Sequence, residues 1–347
     1  MKMQLGDWVR HLAEVVRLWY GLDVTRIETL DLGADAASNV YRVEARHDPQ
    51  VYFLKTRPYA QILTGVDIPA FFSSQNIPHI LAPIPDKTGL PWVQDGSLSL
   101  RLYPFLSGTS AMETQMTACQ WTELGQAMRA VHACTLPSHL AGALEQETFS
   151  SESRLLAEAY LYRSLAGEFA QTPGAAVAEV LCRFEAQIRR LLKRAGELGT
   201  HFREQPLRLV PCHADLHKWN LFIVSETEWY LLDWDTVKLA PPECDLMYIG
   251  GNIGANIGGG DHGDVNEIPC FYEGYGETAV NQQLITYYRC ERILVDIAEF
   301  GKQVWGVPED TPMNDAVQAS NTRIAGWIAG NFAPGSEYDT ACQDDDC

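Results

Sequence analysis

The apolar positions of this chain change period several times, and the changes mark its parts. Trp8, Leu12, Val15, Val16 and Trp19 recur at helical spacing over residues 7–20 and Gly21 follows as a stop signal, so a short opening helix is expected. From Arg26 to Leu32, Val40 to Val43 and Val51 to Lys55 the pattern turns into short strand-like runs, separated by Gly33 and by Arg46 to Gln50, which predicts a β-meander. A weaker helical pattern covers 61–74, and two further strands are expected at 90–94 and 98–103. Pro104 and Gly108 then break regular structure at a linker.

Past the linker the period is mainly helical. Trp121, Leu124, Met128, Val131 and His132 share one face of a helix over 114–134, and Leu181, Phe184, Ile188, Leu191 and Leu192 one face of a helix over 175–197. A strand-turn-strand unit interrupts at 207–235. Leu207 to Val210 leads in, Leu221 to Val224 and Trp229 to Leu232 follow, and Ser225 to Glu228 makes the turn. A Gly-rich loop over 250–264 precedes a helix expected at 281–304. The architecture reads as α+β: a small β-rich N-lobe over 1–102, a hinge over 103–108, a larger mainly helical C-lobe over 109–335 and an acidic tail over 336–347.

Composition narrows the partners. Of 347 residues, 45 are acidic and 26 basic, and the formal charge of −19 disfavours nucleic acid and anionic membrane while favouring a cationic small molecule. The nine cysteines include no C-x-x-C pair, so neither a zinc site nor a disulfide framework is indicated. The N-terminus has no apolar leader and no segment has the length of a membrane span, so a cytoplasmic protein is expected; a monomer is the separate expectation for its assembly.

The chemistry concentrates in His213-Ala214-Asp215-Leu216-His217-Lys218-Trp219-Asn220 and, eighteen residues after Asp215, in Asp233-Trp234-Asp235. A carboxylate in a loop after a strand can orient an attacking hydroxyl, and an amide and a second carboxylate can hold Mg²⁺, a hard cation that takes oxygen ligands. Asp215 is therefore read as the catalytic residue, Asn220 and Asp233 as metal ligands, and ATP as the phosphoryl donor. Lys55, at the end of a strand, is read as the phosphate-binding lysine. The turn around Gly33 and Ser38 is read as the phosphate cover, although it lacks G-x-G-x-x-G.

His213 and Asp245 are assigned to bracing the catalytic loop, and His217 to a solvated turn. Asp235, Glu273 and Glu291 are carried as further structural or acceptor-binding carboxylates. His213, Asp215 and His217 also alternate as metal ligands would, but a transition-metal hydrolase needs further ligands, and the other histidines form no second cluster in sequence.

Several segments resemble the aminoglycoside phosphotransferase family. They are Trp19-Tyr20-Gly21-Leu22-Asp23, Gly33-Ala34-Asp35, Tyr103-Pro104-Phe105, the stretch from Cys212 to Asn220, Asp233-Trp234-Asp235, Asp245 to Gly251, Phe271 to Gly276 and Tyr287 to Arg292. The resemblance implies a protein-kinase-like bilobal fold, with Asp215 as catalytic base, Asn220 and Asp233 on Mg²⁺, and Lys55 on the phosphates. It puts the backbone near Tyr103 and Phe105 at the adenine.

It also implies transfer from ATP to a hydroxyl of a cationic aminoglycoside or aminocyclitol such as spectinomycin. The family's lysine normally pairs with a glutamate on the following helix, yet this chain has no acidic residue between Lys55 and Asp67. Either Asp67 substitutes or Lys55 is held otherwise. Two other readings stay open: a kinase of a metabolite such as choline, homoserine or methylthioribose, and a nucleotide-binding module without catalysis.

Overall fold

Alternation with period two sends successive side chains of a strand to opposite faces, so a half-buried sheet sorts its residues by parity. The computed structural model describes residues 5–30, 38–59, 64–250, 266–306 and 315–342. In chain order its elements begin α1 (Leu5–Tyr20), β1 (Val24–Leu30), β2 (Asn39–Ala45), β3 (Val51–Pro58), a 3-10 turn (Thr64–Asp67), α2 (Ile68–Ser74), β4 (Val93–Asp95), β5 (Leu98–Pro104) and β6 (Thr109–Ser110). There follow α3 (Ala118–Ala133), α4 (Ser138–Ala141), α5 (Glu152–Leu165), α6 (Ala175–Arg183), α7 (Glu185–Arg203), β7 (Val210–Cys212), β8 (Leu221–Ile223), β9 (Trp229–Leu231) and β10 (Lys238–Ala240). The chain closes with α8 (Glu243–Leu246), α9 (Glu267–Tyr275), α10 (Gln282–Trp305), α11 (Asp315–Gly330) and α12 (Glu337–Ala341).

Contacts divide the chain into two units. The first comprises Met1–Ser110, Thr135–Glu145 and Asn220–Val237. Its five-stranded antiparallel sheet has the order β1-β2-β3-β5-β4. On one face, Tyr41, Val43, Tyr52, Leu54, Leu100 and Leu102 bury against Leu12, Val15 and Val16 of α1, which is the amphipathic pattern of the opening helix satisfied. The opposite parity of β3 and β5 carries Phe53, Lys55, Arg57, Arg101 and Tyr103, with Lys55 directly across from Arg101. The β8–β9 hairpin also belongs to this unit and pairs with β6.

The second unit comprises Ala111–Cys134, Gln146–Trp219 and Lys238–Cys347. Its core is helical, with Leu161, Leu181, Ile188, Leu191, Ile293, Leu294, Ile297 and Ile328 buried together from α5, α6, α7, α10 and α11. The short β7 and β10 pair antiparallel, Cys212 opposite Lys238. Among the described residues no helix is long and apolar enough to cross a membrane.

Several elements differ from the sequence expectation, among them the start of the acidic tail expected over 336–347, where Glu337–Ala341 is helical with Glu337 and Ala341 buried. The helix expected over 175–197 is two helices, because Phe184 leaves helical geometry (φ −103°, ψ 22°) and stacks on Phe332 at 4.8 Å, a core contact that a continuous period does not reveal. The helix expected from 61 is α-helical only from Ile68, with Pro69 in its first turn, the one place where a missing N–H costs nothing. The strand expected at 207–210 forms at Val210–Cys212, where β10 supplies its partner. Gly33, residues 251–265 of the Gly-rich loop and Asp344 to Cys347 of the tail lie outside the described residues.

Candidate active site

The loop that carries Asp215 lies in the helical unit. The loop leaves β7 at His213, and the buried Asp245 carboxylate holds it: the His213 backbone N–H donates to Oδ2 at 2.9 Å and that of Ala214 to Oδ1 at 2.7 Å. His132 Nε2 meets the same carboxylate at 3.0 Å, and its Nδ1 meets the Tyr275 hydroxyl at 2.8 Å. The brace matters because Ala214 sits at φ +65°, in the left-handed region where a non-glycine residue is strained. The Asp215 N–H then donates to His213 Nδ1 at 3.2 Å.

His132, Cys212 and Asp245 are the one group of His, Cys, Asp or Glu among the described residues with three potential ligand atoms within 4.8 Å of one another. His132 and Asp245 spend those atoms on the hydrogen bonds just given, and Cys212 Sγ donates to the Ala240 and Pro241 carbonyls at 3.5 Å. The cluster works as a brace.

Asp215 is largely buried, with its side chain 22% exposed. One carboxylate oxygen lies 3.4 Å from the Tyr248 hydroxyl and 3.5 Å from Arg292, the other 3.2 Å from His217 Nε2. Burial pushes its carboxyl up, but the Arg292 guanidinium and then His217 outweigh burial and hold it well below the usual carboxylate range. His217 is thus a partner of Asp215, not the solvated turn residue expected. Arg292 in turn donates to Asp296 at 3.2 Å.

Of the other carboxylates, Glu291 is tied to Arg154 at 2.6 Å and pushed up by burial, and Glu273 is exposed on α9. Neither is among these neighbours of Asp215. Tyr248 and Arg292 are, with Asp296 behind Arg292; in the sequence Tyr248 and Arg292 stand out only within the segments Asp245 to Gly251 and Tyr287 to Arg292 that carry the resemblance.

Asn220, Asp233, Asp235 and Lys55 lie in the β-rich unit. Leu221 pairs with Leu231, and the Leu232 N–H donates to the Asn220 carbonyl at 2.8 Å, so Asn220 and Asp233 flank the open end of one hairpin. Asp233 adopts φ +55°, which turns the chain into the 3-10 turn Trp234–Thr236. Trp234 anchors that turn, edge-on to Phe72 of α2 at 5.3 Å.

Asp233 is half exposed, with Lys55 Nζ 3.5 Å away. Asp235 is half-buried among cations: Lys55 Nζ at 2.8 Å, Arg101 at 2.9 Å and Arg57 at 3.1 Å. Burial raises its carboxyl, but Lys55 and Arg101 overcome that and bring it down to about 2.

Lys55 keeps its charge against desolvation through Asp233 and Asp235. Asp67 does not partner it. Burial raises the Asp67 carboxyl, which accepts a hydrogen bond from Trp92. Tyr103 lies on the cationic face of β5, its ring meeting Phe53 at 6.4 Å, and the Phe105 N–H donates to the Val51 carbonyl at 2.9 Å. β5 runs through Pro104 into the span read as a hinge, and Ser38, half-buried, immediately precedes β2.

An oxygen-only donor set at a hairpin end, beside a lysine on a sheet face, is the equipment of phosphoryl transfer. The model of the phosphotransferase enzyme family (APH) matches residues 29–279, and the chain belongs to that family. Among solved structures it is similar to spectinomycin phosphotransferase, APH(9)-Ia, in complex with ADP and spectinomycin. The two share 26% identity over 98% of each chain, with a TM-score of 0.84.

It shares the fold of choline kinase LicA from Streptococcus pneumoniae (14% identity, 92% and 99% of the two chains, TM-score 0.56). It shares it also with an ethanolamine kinase of Plasmodium vivax (14% identity, 93% and 89%, TM-score 0.54). A comparison with curated protein sequences finds no match. The chain is a small-molecule kinase with the protein-kinase-like α+β fold.

Proposed function

We propose that this kinase transfers the γ-phosphoryl group of ATP to a hydroxyl of spectinomycin or a closely similar cationic aminocyclitol. The observation that carries the acceptor is the likeness along the whole length of both chains to spectinomycin phosphotransferase with ADP and spectinomycin bound. The choline and ethanolamine kinases share the fold alone.

In this reading Asp215 receives the acceptor hydroxyl. Held ionised by Arg292 and His217, it is a weak base, so it orients the oxygen and takes the proton late in transfer. Asn220 and Asp233 hold Mg²⁺, whose oxygen-donor preference they fit, and the ion supplies charge neutralisation at the phosphates. Lys55 positions the donor phosphates. The backbone at Tyr103 to Phe105 receives the adenine and Ser38 helps cover the phosphates. The net negative charge of the chain attracts the acceptor's ammonium groups. The reading as a non-catalytic module rests on the missing glutamate and on the single-glycine turn at Gly33; against the first, Lys55 has carboxylate partners.

The test is an acceptor panel of spectinomycin, choline and ethanolamine at equal concentration, each with Mg·ATP, with transfer read as ADP formed in excess of acceptor-free hydrolysis. Spectinomycin should give the highest kcat/KM. A higher value for choline or ethanolamine overturns the acceptor while leaving the kinase.

A further inference from the structure

Lys55 faces two carboxylates two residues apart, and the structure ranks them. Its Nζ is 2.8 Å from Asp235 and 3.5 Å from Asp233. The Asp235 side chain is 17% exposed, whereas that of Asp233 is 51% exposed. Asp235 is itself fixed by Arg101 and Arg57, and Arg101 stands directly across β3–β5 from Lys55. Like charges opposite one another in a sheet repel, and a carboxylate bridging them removes the repulsion. Asp235 thus has its counter-ions on the cationic face of the sheet, and none of them comes from α2.

We infer that Asp235 is a positioning residue that draws the Lys55 ammonium away from Asp233, leaving the Asp233 carboxylate available to a divalent cation. The inference rests on the reading of Asp233 as a metal ligand. In a kinase whose lysine pairs with a helix glutamate, lysine and metal carboxylate are held by separate elements. Here the turn 233–236 supplies both the metal carboxylate and the lysine's counter-ion, so loss of one disturbs the other. With Asp235 neutralised, the carboxylate left beside Lys55 among the described residues is Asp233, and the ammonium would compete there with the cation.

The experiment measures Mn²⁺ affinity by electron paramagnetic resonance at saturating ADP, in wild type, Asp235→Asn and Asp235→Asn/Lys55→Met. Asp235→Asn should weaken Mn²⁺ binding about ten- to a hundredfold, the range for loss of a group that orients a metal ligand. Removing the ammonium in the double variant should restore most of it without restoring transfer.

Loss of a half-buried counter-ion can compromise folding. If Asp235→Asn does not fold, Asp235→Asn/Arg101→Met, which sheds one cation with the carboxylate, carries the same expectation. Unchanged Mn²⁺ affinity in the folded variant, or a loss that Lys55→Met does not reverse, overturns the inference. Wild type that binds ADP but no Mn²⁺ overturns the metal reading beneath it instead.

Discussion

Arg292 stands 3.5 Å from Asp215 and 3.2 Å from Asp296, one guanidinium between two carboxylates. Replacing it by Met leaves Asp215 buried beside another acid, so its carboxyl rises. The acid limb of the kcat/KM pH profile should then move to higher pH, and an unmoved limb would show that Arg292 does not set the ionisation of Asp215. Asp235 gives a second pH effect. Its carboxyl is about 2 folded against an ordinary 3.8, so its stabilisation is complete above the unfolded value and lost as pH falls toward 2. The loss amounts to about 2 kcal/mol. Urea midpoints from pH 5 to pH 2 should converge for wild type and Asp235→Asn.

At this scale the sequence displays what lies within one stretch of chain. Asp215, His213 and Asn220 are visible by spacing alone. Arg101 and Arg57 reach Asp235 across 134 and 178 residues, and only a folded sheet brings them there. The same holds for the counter-ion of Lys55: local sequence nominated Asp67, and the sheet face selected Asp235.

Among elements, strands with clear alternation (β1 to β3 and β5) were legible because parity follows directly from which face is buried. The two- and three-residue strands β6 and β10 carry no period and exist because a partner pairs with them. Helix packing was equally silent in the sequence. α3 and α9 approach so closely that a Cβ on Gly125 would lie 2.0 Å from the Phe271 carbonyl oxygen, and one on Gly274 1.9 Å from that of Thr122. Both obstacles are backbone and cannot rotate away. Gly125→Ala and Gly274→Ala should each cost about 1–3 kcal/mol or more in urea unfolding, while Gly196→Ala, which meets nothing within 4 Å, should cost nothing. Equal midpoints for all three would refute the close approach.

For the whole molecule, the charge of −19 was the first clue to a cationic acceptor and remains a testable one. Charge attraction between the chain and spectinomycin is screened by salt. kcat/KM for spectinomycin should therefore fall several-fold between about 10 mM and about 200 mM ionic strength, with kcat little changed. A flat profile would remove long-range attraction from the account. The central claim, phosphoryl transfer organised by Asp215, is tested most directly with γ-labelled ATP, Mg²⁺ and spectinomycin. Wild type should deliver label to spectinomycin, and Asp215→Ala, folded by circular dichroism, should lose at least about a hundredfold of that rate. Label transfer by Asp215→Ala at the wild-type rate, or none by wild-type protein that binds Mg·ATP, would contradict it.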